Sequence, residues 1–286
     1  MAGVFNASVA IMINWFPGHM HKAQKELRKA LKFIDVVVEV ADSRAPEASR
    51  NPLLHEICDE KPIVTLFNKT DLTDLDKLKD YIKEAKVERT LLGTANTRGI
   101  IEPLLVACKK AAPHRDSPVK PLRIAIVGTP NVGKSTLINT LAEKKIAKVG
   151  NVPAVTRHMQ KISIRDDVQL IDSPGIMMPR SDVKENMLFL AAFGSIGAKA
   201  LDEVEIVLDM LDVLRNAYPE ALINRYGLKE LDSDSQVLME AIAGKIGAVK
   251  GTSLYWEKAA ARILADLRSG ELGKVCLVAD VESDLL

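Results

Sequence analysis

The chain has 286 residues, which suggests about two domains, and its 47% hydrophobic and 27% charged residues exclude a disordered or collagen-like protein. No apolar stretch approaches the roughly 18 residues of a membrane-spanning helix. The three cysteines (Cys58, Cys108 and Cys276) are widely separated, which excludes a disulfide scaffold and a thiolate zinc site and favours a reducing compartment. The net charge of +1 is uneven, because residues 1–180 hold 28 Lys and Arg against 20 Asp and Glu, whereas residues 181–286 hold 11 against 18.

Strands and helices alternate in the first part of the chain. Residues 1–11 contain no Lys or Arg, so neither a secretory signal nor a transit peptide fits, and we treat them as an extension outside the fold. Such alternation from residue 12 onward is typical of an α/β fold, and it predicts a doubly wound, mostly parallel sheet over residues 12–180. Strands are predicted at 33–40, 62–67, 89–92, 122–127, 159–164 and 168–171, and helices at 75–85 and 100–112.

From about residue 181 the strand signals end. Apolar residues at helical spacing run from Trp256 to Leu267 and stop at Gly270, and Pro219 suits the first turn of another helix that Gly227 ends. We therefore predict that residues 181–286 form an all-helical C-terminal domain.

A phosphate-binding motif lies at Gly128–Ser135, which matches G-x-x-x-x-G-K-[ST] between a predicted strand and a predicted helix. Phosphates need inward-pointing backbone N–H groups, and only glycine lets the main chain approach that closely. Lys134 should neutralise the β- and γ-phosphates, and Ser135 should ligate Mg²⁺. The predicted nucleotide-binding residues of this loop are Asn131, Val132, Gly133, Lys134, Ser135 and Thr136.

The motif Asn68-Lys69-x-Asp71, which follows a buried strand, predicts which base the bound nucleotide carries. An ionised carboxylate only accepts hydrogen bonds, and guanine offers two adjacent donors where adenine offers an acceptor. Asp71 therefore favours guanine. The loop after the next strand, Thr94-Ala95-Asn96, would supply backbone donors to the guanine carbonyl.

A third motif, Asp172-x-x-Gly175, follows the last predicted strand. These residues are typical of an ordinary turn, but their position downstream of the phosphate loop favours a loop that responds to the bound nucleotide. Asp172 would then hold Mg²⁺ through water, and the Gly175 N–H would sense the γ-phosphate. Thr156 is the well-placed threonine for a second, mobile Mg²⁺ ligand.

The order of these motifs is unusual, because the base motif precedes the phosphate motif. In Ras-like GTPases the base motif comes last, and a cyclic rotation of the chain restores that order. Together with the motifs above, two further segments resemble the circularly permuted GTPases of ribosome assembly: Trp15-Phe16-Pro17-Gly18-His19-Met20 and Asp42-x-Arg44-x-Pro46.

The resemblance implies a circularly permuted P-loop GTPase fold and a GTP-driven factor in late maturation of the large ribosomal subunit. Implied partners are the subunit precursor, its rRNA and its ribosomal proteins, and implied cofactors are GTP or GDP and Mg²⁺. The basic run Lys22, Lys25, Arg28, Lys29 and Lys32 fits a solvated helix face, but the resemblance favours an rRNA contact. We expect a cytoplasmic monomer without membrane contact.

Catalysis is expected to depart from the Ras pattern. The position after D-x-x-G, where Ras-like enzymes carry a glutamine, is Ile176, which cannot orient water, so intrinsic hydrolysis should be slow and stimulated by the ribosome. The resemblance implies that His19 orients the attacking water instead, and that Asn131 helps to bind K⁺.

Two alternative functions stay open: a nucleotide-dependent binding module without turnover, and a P-loop ATPase or kinase.

Overall fold

A parallel sheet forms the first part of the molecule. The computed structural model describes residues 28–29, 31–51, 54–58, 61–115, 117–143, 160–172, 184–196, 202–247 and 255–279. In these residues the strands are β1 (Val36–Asp42), β2 (Ile63–Asn68), β3 (Thr90–Leu92), β4 (Leu122–Val127), β5 (Gln160–Arg165) and β6 (Val168–Asp172). They form one six-stranded sheet in the order β3-β2-β1-β4-β6-β5. Only β5 runs antiparallel to its neighbour, so the predicted mostly parallel sheet is confirmed.

The central strand β1 lies two to three residues later than its sequence pattern predicts. Phe33 is 53% exposed and lies outside the strand, whereas Ala41 and Asp42, predicted to lie in the following loop, pair with Phe67 and Asn68 of β2. The pairing of β1 with β4 runs from Val36 to Glu39, whereas its pairing with β2 continues to Asp42. Hydrogen bonding to β2, rather than the side-chain pattern, therefore decides where β1 ends.

Helices cover both faces of the sheet. The two faces of β1 alternate, with Val36, Val38 and Val40 in one apolar cluster and Val37 in another. The helices that follow the strands are α1 (Leu54–Cys58), α2 (Leu75–Glu84), α3 (Ile101–Ala111) and α4 (Lys134–Leu141). The first cluster contains residues of α3 and α4, and the second contains residues of α1.

The second part of the molecule is helical, as predicted. Its apolar core is a separate cluster that includes Phe189, Leu211 and Leu264. The described helices are α5 (Lys184–Ala192), α6 (Glu203–Ala217), α7 (Pro219–Tyr226), α8 (Ser235–Lys245) and α9 (Tyr255–Ser269). The boundary at residue 180 lies between described segments and stays a prediction.

The chain returns to the sheet after α9. The Leu277 N–H donates to the Arg44 carbonyl at 2.7 Å, and the Val275 N–H donates to the Leu72 carbonyl at 3.3 Å. These backbone bonds join the end of the helical part to the loops that follow β1 and β2. Within the described segments, no helix is both long enough and apolar enough to cross a membrane.

The N-terminus of α8 provides a test of the helical part. The Asp234 carboxylate accepts hydrogen bonds from the Gln236 N–H at 2.7 Å and the Val237 N–H at 3.4 Å. We expect Asp234→Ala to lower the free energy of unfolding by about 1 kcal/mol, because two N–H groups of the first turn lose their acceptor. Urea denaturation measures this change. Asp234→Asn is the matched control, since asparagine caps equally well, and equal losses in both variants would contradict the capping role.

Candidate nucleotide-binding site

Two glycines shape the loop between β4 and α4. Gly128 has φ +148° and Gly133 has φ +106°, both in the region that favours glycine. A Cβ at Gly128 would overlap the Val40 carbonyl oxygen, and a Cβ at Gly133 would overlap the Asn68 carboxamide. The loop thus lies directly against the ends of β1 and β2, and its backbone conformation depends on both glycines.

Lys134 begins α4 beneath this loop. Its Nζ donates to the Thr129 carbonyl at 2.6 Å, and burial lowers the pKa of Lys134 to about 8. Among the described residues, no carboxylate accounts for any part of that shift or balances the ammonium charge. A half-buried cation at a helix N-terminus, with no anionic partner in the described part of the chain, fits a phosphate group.

Asn68 connects the two predicted motifs. Its Nδ2 donates to the Val132 carbonyl of the phosphate loop at 2.7 Å, and its Oδ1 accepts from the Ala95 N–H at 2.7 Å. Asn68 is 3% exposed, so both halves of the carboxamide are satisfied in a buried place. One side chain therefore fixes the phosphate loop and the loop after β3 relative to the end of β2.

Asp71 lies exposed in the short 3₁₀ turn after β2 (Thr70–Leu72). The Thr94 hydroxyl donates to its Oδ1 at 3.0 Å, which orients the carboxylate. Ala95 is buried and uses its N–H on Asn68, whereas Asn96 is exposed. The structure thus places Asp71 and the 94–96 loop side by side. The Ala95 N–H, predicted as a donor to the guanine carbonyl, is used by Asn68 instead, and the contacts to the base stay a prediction.

Lys69 adopts a left-handed backbone conformation, with φ 65°. Its Nζ donates to Asp42 Oδ2 at 2.7 Å and to the Asn131 carbonyl at 2.9 Å. A non-glycine residue in this region needs compensating contacts, and the two bonds supply them. The ammonium is therefore a second connection between the base motif and the phosphate loop.

The phosphate loop also contacts the helical part. Asn131 Nδ2 donates to the Gly194 carbonyl at 2.5 Å, and the Ser195 hydroxyl donates to the Pro130 carbonyl at 2.9 Å. Gly194 and Ser195 follow the C-terminus of α5. Sequence reasoning missed this contact, because nothing in the sequence pairs residues so far apart.

The predicted Mg²⁺ ligands are only partly described. Ser135 lies half-buried in the first turn of α4, where Thr136 follows it. Asp172 ends β6, which pairs with β4, so sheet topology brings Asp172 and the phosphate loop to the same edge. A hydroxyl and a carboxylate are suitable ligands for Mg²⁺. His19, Thr156, Gly175 and Ile176 lie outside the described residues.

Two residues were missed as parts of the site, although their motif was visible. Asp42 is 3% exposed and contacts Lys69, and Arg44 is 2% exposed and contacts Asp42. The segment Asp42-x-Arg44-x-Pro46 contributed to the family resemblance, but no role was predicted for it. Charged residues directly after an apolar strand mark these positions in the sequence, whereas their burial and their partners are visible only in the structure.

Comparison with known proteins agrees with this geometry. A family model described as 50S ribosome-binding GTPase matches residues 123–243, which begin at the phosphate-loop strand and leave the base motif upstream. Ribosome biogenesis GTPase A of Bacillus cereus is 37% identical over 276 residues, covering 93% of each chain. Mitochondrial ribosome-associated GTPase 1 of Xenopus tropicalis is 31% identical over 294 residues, covering 92% of this chain and 94% of the relative.

Solved structures show the same fold. A GDP-bound structure of TM YlqF matches with a TM-score of 0.62 and 23% identity, covering 88% of this chain and 97% of that one. The GNP-bound YlqF from T. maritima matches with the same TM-score at 24% identity, covering 89% and 97%. This chain therefore belongs to the family of circularly permuted ribosome-assembly GTPases that includes ribosome biogenesis GTPase A.

Proposed function

We propose that the chain binds GTP and GDP at the carboxyl edge of its sheet and hydrolyses GTP to drive a late step in assembly of the large ribosomal subunit. The observation that carries the proposal is the Asn68 carboxamide, which joins the phosphate loop to the 94–96 loop. Because of it, two motifs in reversed sequence order lie side by side. Membership of a ribosome biogenesis GTPase family supports the link to ribosomes.

In the proposed site each group has a distinct role. Lys134 supplies a half-buried positive charge for the β- and γ-phosphates, and the N–H groups from Asn131 to Thr136 surround them. Asp71, held by Thr94, accepts from guanine. Mg²⁺, when bound, offsets phosphate charge, and Ser135, Thr156 and Asp172 would hold it. Gly175 would sense the γ-phosphate.

The catalytic step is proposed to depend on the ribosome. Ile176 provides no polar group to orient water, so we assign that role to His19 and expect slow intrinsic turnover. Potassium is proposed as a second activator through Asn131. The Asn131 Nδ2 donates to the Gly194 carbonyl. The Asn131 Oδ1 is the atom that a cation would bind.

The partners are proposed to be precursor particles in the cytoplasm, with contact to rRNA and ribosomal proteins. The positive balance of residues 1–180 supports rRNA contact through this part of the chain, whereas the acidic balance of residues 181–286 restricts any contact there to local clusters of Lys and Arg. A module that binds nucleotide without turnover is one alternative. Multiple-turnover phosphate release separates the two.

Base selectivity can be reversed at one residue. We expect Asp71→Asn to weaken GTP binding on the order of a hundredfold and to make xanthosine triphosphate the better ligand, because an amide donates where the carboxylate accepted. Equilibrium titration with both nucleotides measures the change. Asp76→Asn, on the exposed first turn of α2, should leave the preference unchanged. An unchanged preference in Asp71→Asn would favour the ATPase interpretation.

Nucleotide affinity should depend on pH through Lys134. The pKa of this lysine is about 8 without nucleotide, and a bound phosphate favours the protonated form and raises it. Affinity for GDP is therefore constant below pH 8 and falls, by at most about tenfold per pH unit, as pH rises above 8. Titrations between pH 7 and 9 measure the slope. Lys134→Arg keeps its charge throughout, so its affinity should lose this slope, and identical slopes would contradict the assignment.

Ribosome binding should follow the nucleotide state. In co-sedimentation with large ribosomal subunits, we expect more of the protein to pellet with a non-hydrolysable GTP analogue than with GDP. Binding should weaken as salt is raised, because contacts to phosphates release counterions. Equal pelleting in both nucleotide states would argue against a GTP-driven assembly step.

A further inference from the structure

Asp42 is a buried carboxylate shared between two cations. It ends β1, its Oδ1 accepts from Arg44 Nε at 2.9 Å, and its Oδ2 accepts from Arg44 Nη2 at 2.8 Å. The same Oδ2 accepts from Lys69 Nζ at 2.7 Å. Since Lys69 Nζ also donates to the Asn131 carbonyl, a continuous series of polar contacts runs from Arg44 to the phosphate loop.

Arg44 is held on its other side by the helical part. Its Nη1 donates to the Arg268 carbonyl at 2.8 Å and lies 3.4 Å from the Leu267 carbonyl, both in the last turn of α9. Its guanidinium lies 4.3 Å from the centre of the Phe193 ring, just after α5. These contacts leave the guanidinium little freedom, so Arg44 holds the carboxylate of Asp42 in one orientation.

Asp42 remains ionised in this position. Burial alone would raise the pKa of its carboxyl group, but the charges of Arg44 and Lys69 outweigh burial and hold the pKa well below its usual range. Burial lowers the pKa of Lys69, and the charge of Asp42 opposes that shift. Each charge is thus stabilised by the others, and loss of the carboxylate would leave a buried guanidinium and a partly buried ammonium without their shared partner.

We propose that Asp42 is a positioning residue for guanine-nucleotide binding, which holds the Lys69 ammonium against the phosphate loop and is itself held by Arg44 on the end of α9. The inference rests on the proposed function, because it assumes that the nucleotide lies between the two loops that Lys69 connects. Asn68 is the other connection between these loops. Removing the carboxylate should therefore loosen the pocket without eliminating it.

The opposite end of β1 provides a matched control. Asp35, which directly precedes the strand, is also buried and also accepts two bonds from an arginine, from Arg123 Nε at 3.0 Å and Nη2 at 2.9 Å. It lies at the amino edge of the sheet, away from the phosphate loop. Asp35 is therefore part of a buried carboxylate–arginine pair that lies outside the proposed nucleotide site.

The experiment compares Asp42→Asn with Asp35→Asn in the full chain. Thermal unfolding without nucleotide measures stability, and displacement of fluorescently labelled GDP by excess GDP measures the dissociation rate. We expect both variants to unfold at lower temperature, but only Asp42→Asn to release GDP faster, on the order of tenfold. Because both variants should be destabilised, a purely structural role would not separate their dissociation rates.

Three further variants test whether Asp42 acts through Lys69. Lys69→Gln removes the same connection, so the double variant of Asp42→Asn with Lys69→Gln should release GDP no faster than the faster single variant. Asp42→Glu keeps the charge but displaces it, so its release should be intermediate. If Asp42→Asn does not fold, Asp42→Glu alone decides, and release at the wild-type rate overturns the proposal.

The outcomes separate this inference from the proposed function. Wild-type protein that binds no GDP, or an unchanged base preference in Asp71→Asn, would defeat the proposed function itself. Tight binding by the wild-type protein together with wild-type release in Asp42→Asn would defeat only the role of Asp42. Equal acceleration in Asp42→Asn and Asp35→Asn would show that stability, and not position, controls release.

Discussion

The Asn68 carboxamide is the interaction on which the site depends. A primary amide has one donor half and one acceptor half, and here each half is used on a different loop. The parallel sheet makes this possible, because β2 and β4 end at the same edge with β1 between them. Chain order is irrelevant to that geometry, so a permuted sequence can build the same pocket.

Much of the fold followed from short-range patterns. The buried strand before the phosphate loop was predicted at residues 122–127, which are the limits of β4, and the helical character of the C-terminal part was also predicted. The side-chain pattern misplaced the limits of β1, whose last residues pair with β2. A single sequence contains hydrophobic periodicity, but it does not contain the pairing of distant strands.

The candidate site likewise contains residues that the sequence could predict and residues that it could not. Residues with a spacing signature, such as Asn68, Lys134 and Asp71, could be assigned a role, because phosphate and guanine each demand particular groups at particular intervals. Asp42 and Arg44 had no such assignment, since their partners are an ammonium at Lys69 and carbonyls at the end of α9. Backbone acceptors leave no mark on the residue type, so these contacts could be recognised only in three dimensions.

The burial of Arg44 has a consequence for the autonomy of the two parts. A fragment ending at residue 180 would keep the sheet and its loops, yet its arginine would lose the carbonyls of α9, the ring of Phe193 and the backbone bond from Leu277. An arginine cannot shed its charge to accommodate such a loss. The helical part therefore completes the interior of its neighbour, and the two should melt together in a single cooperative transition rather than one after the other.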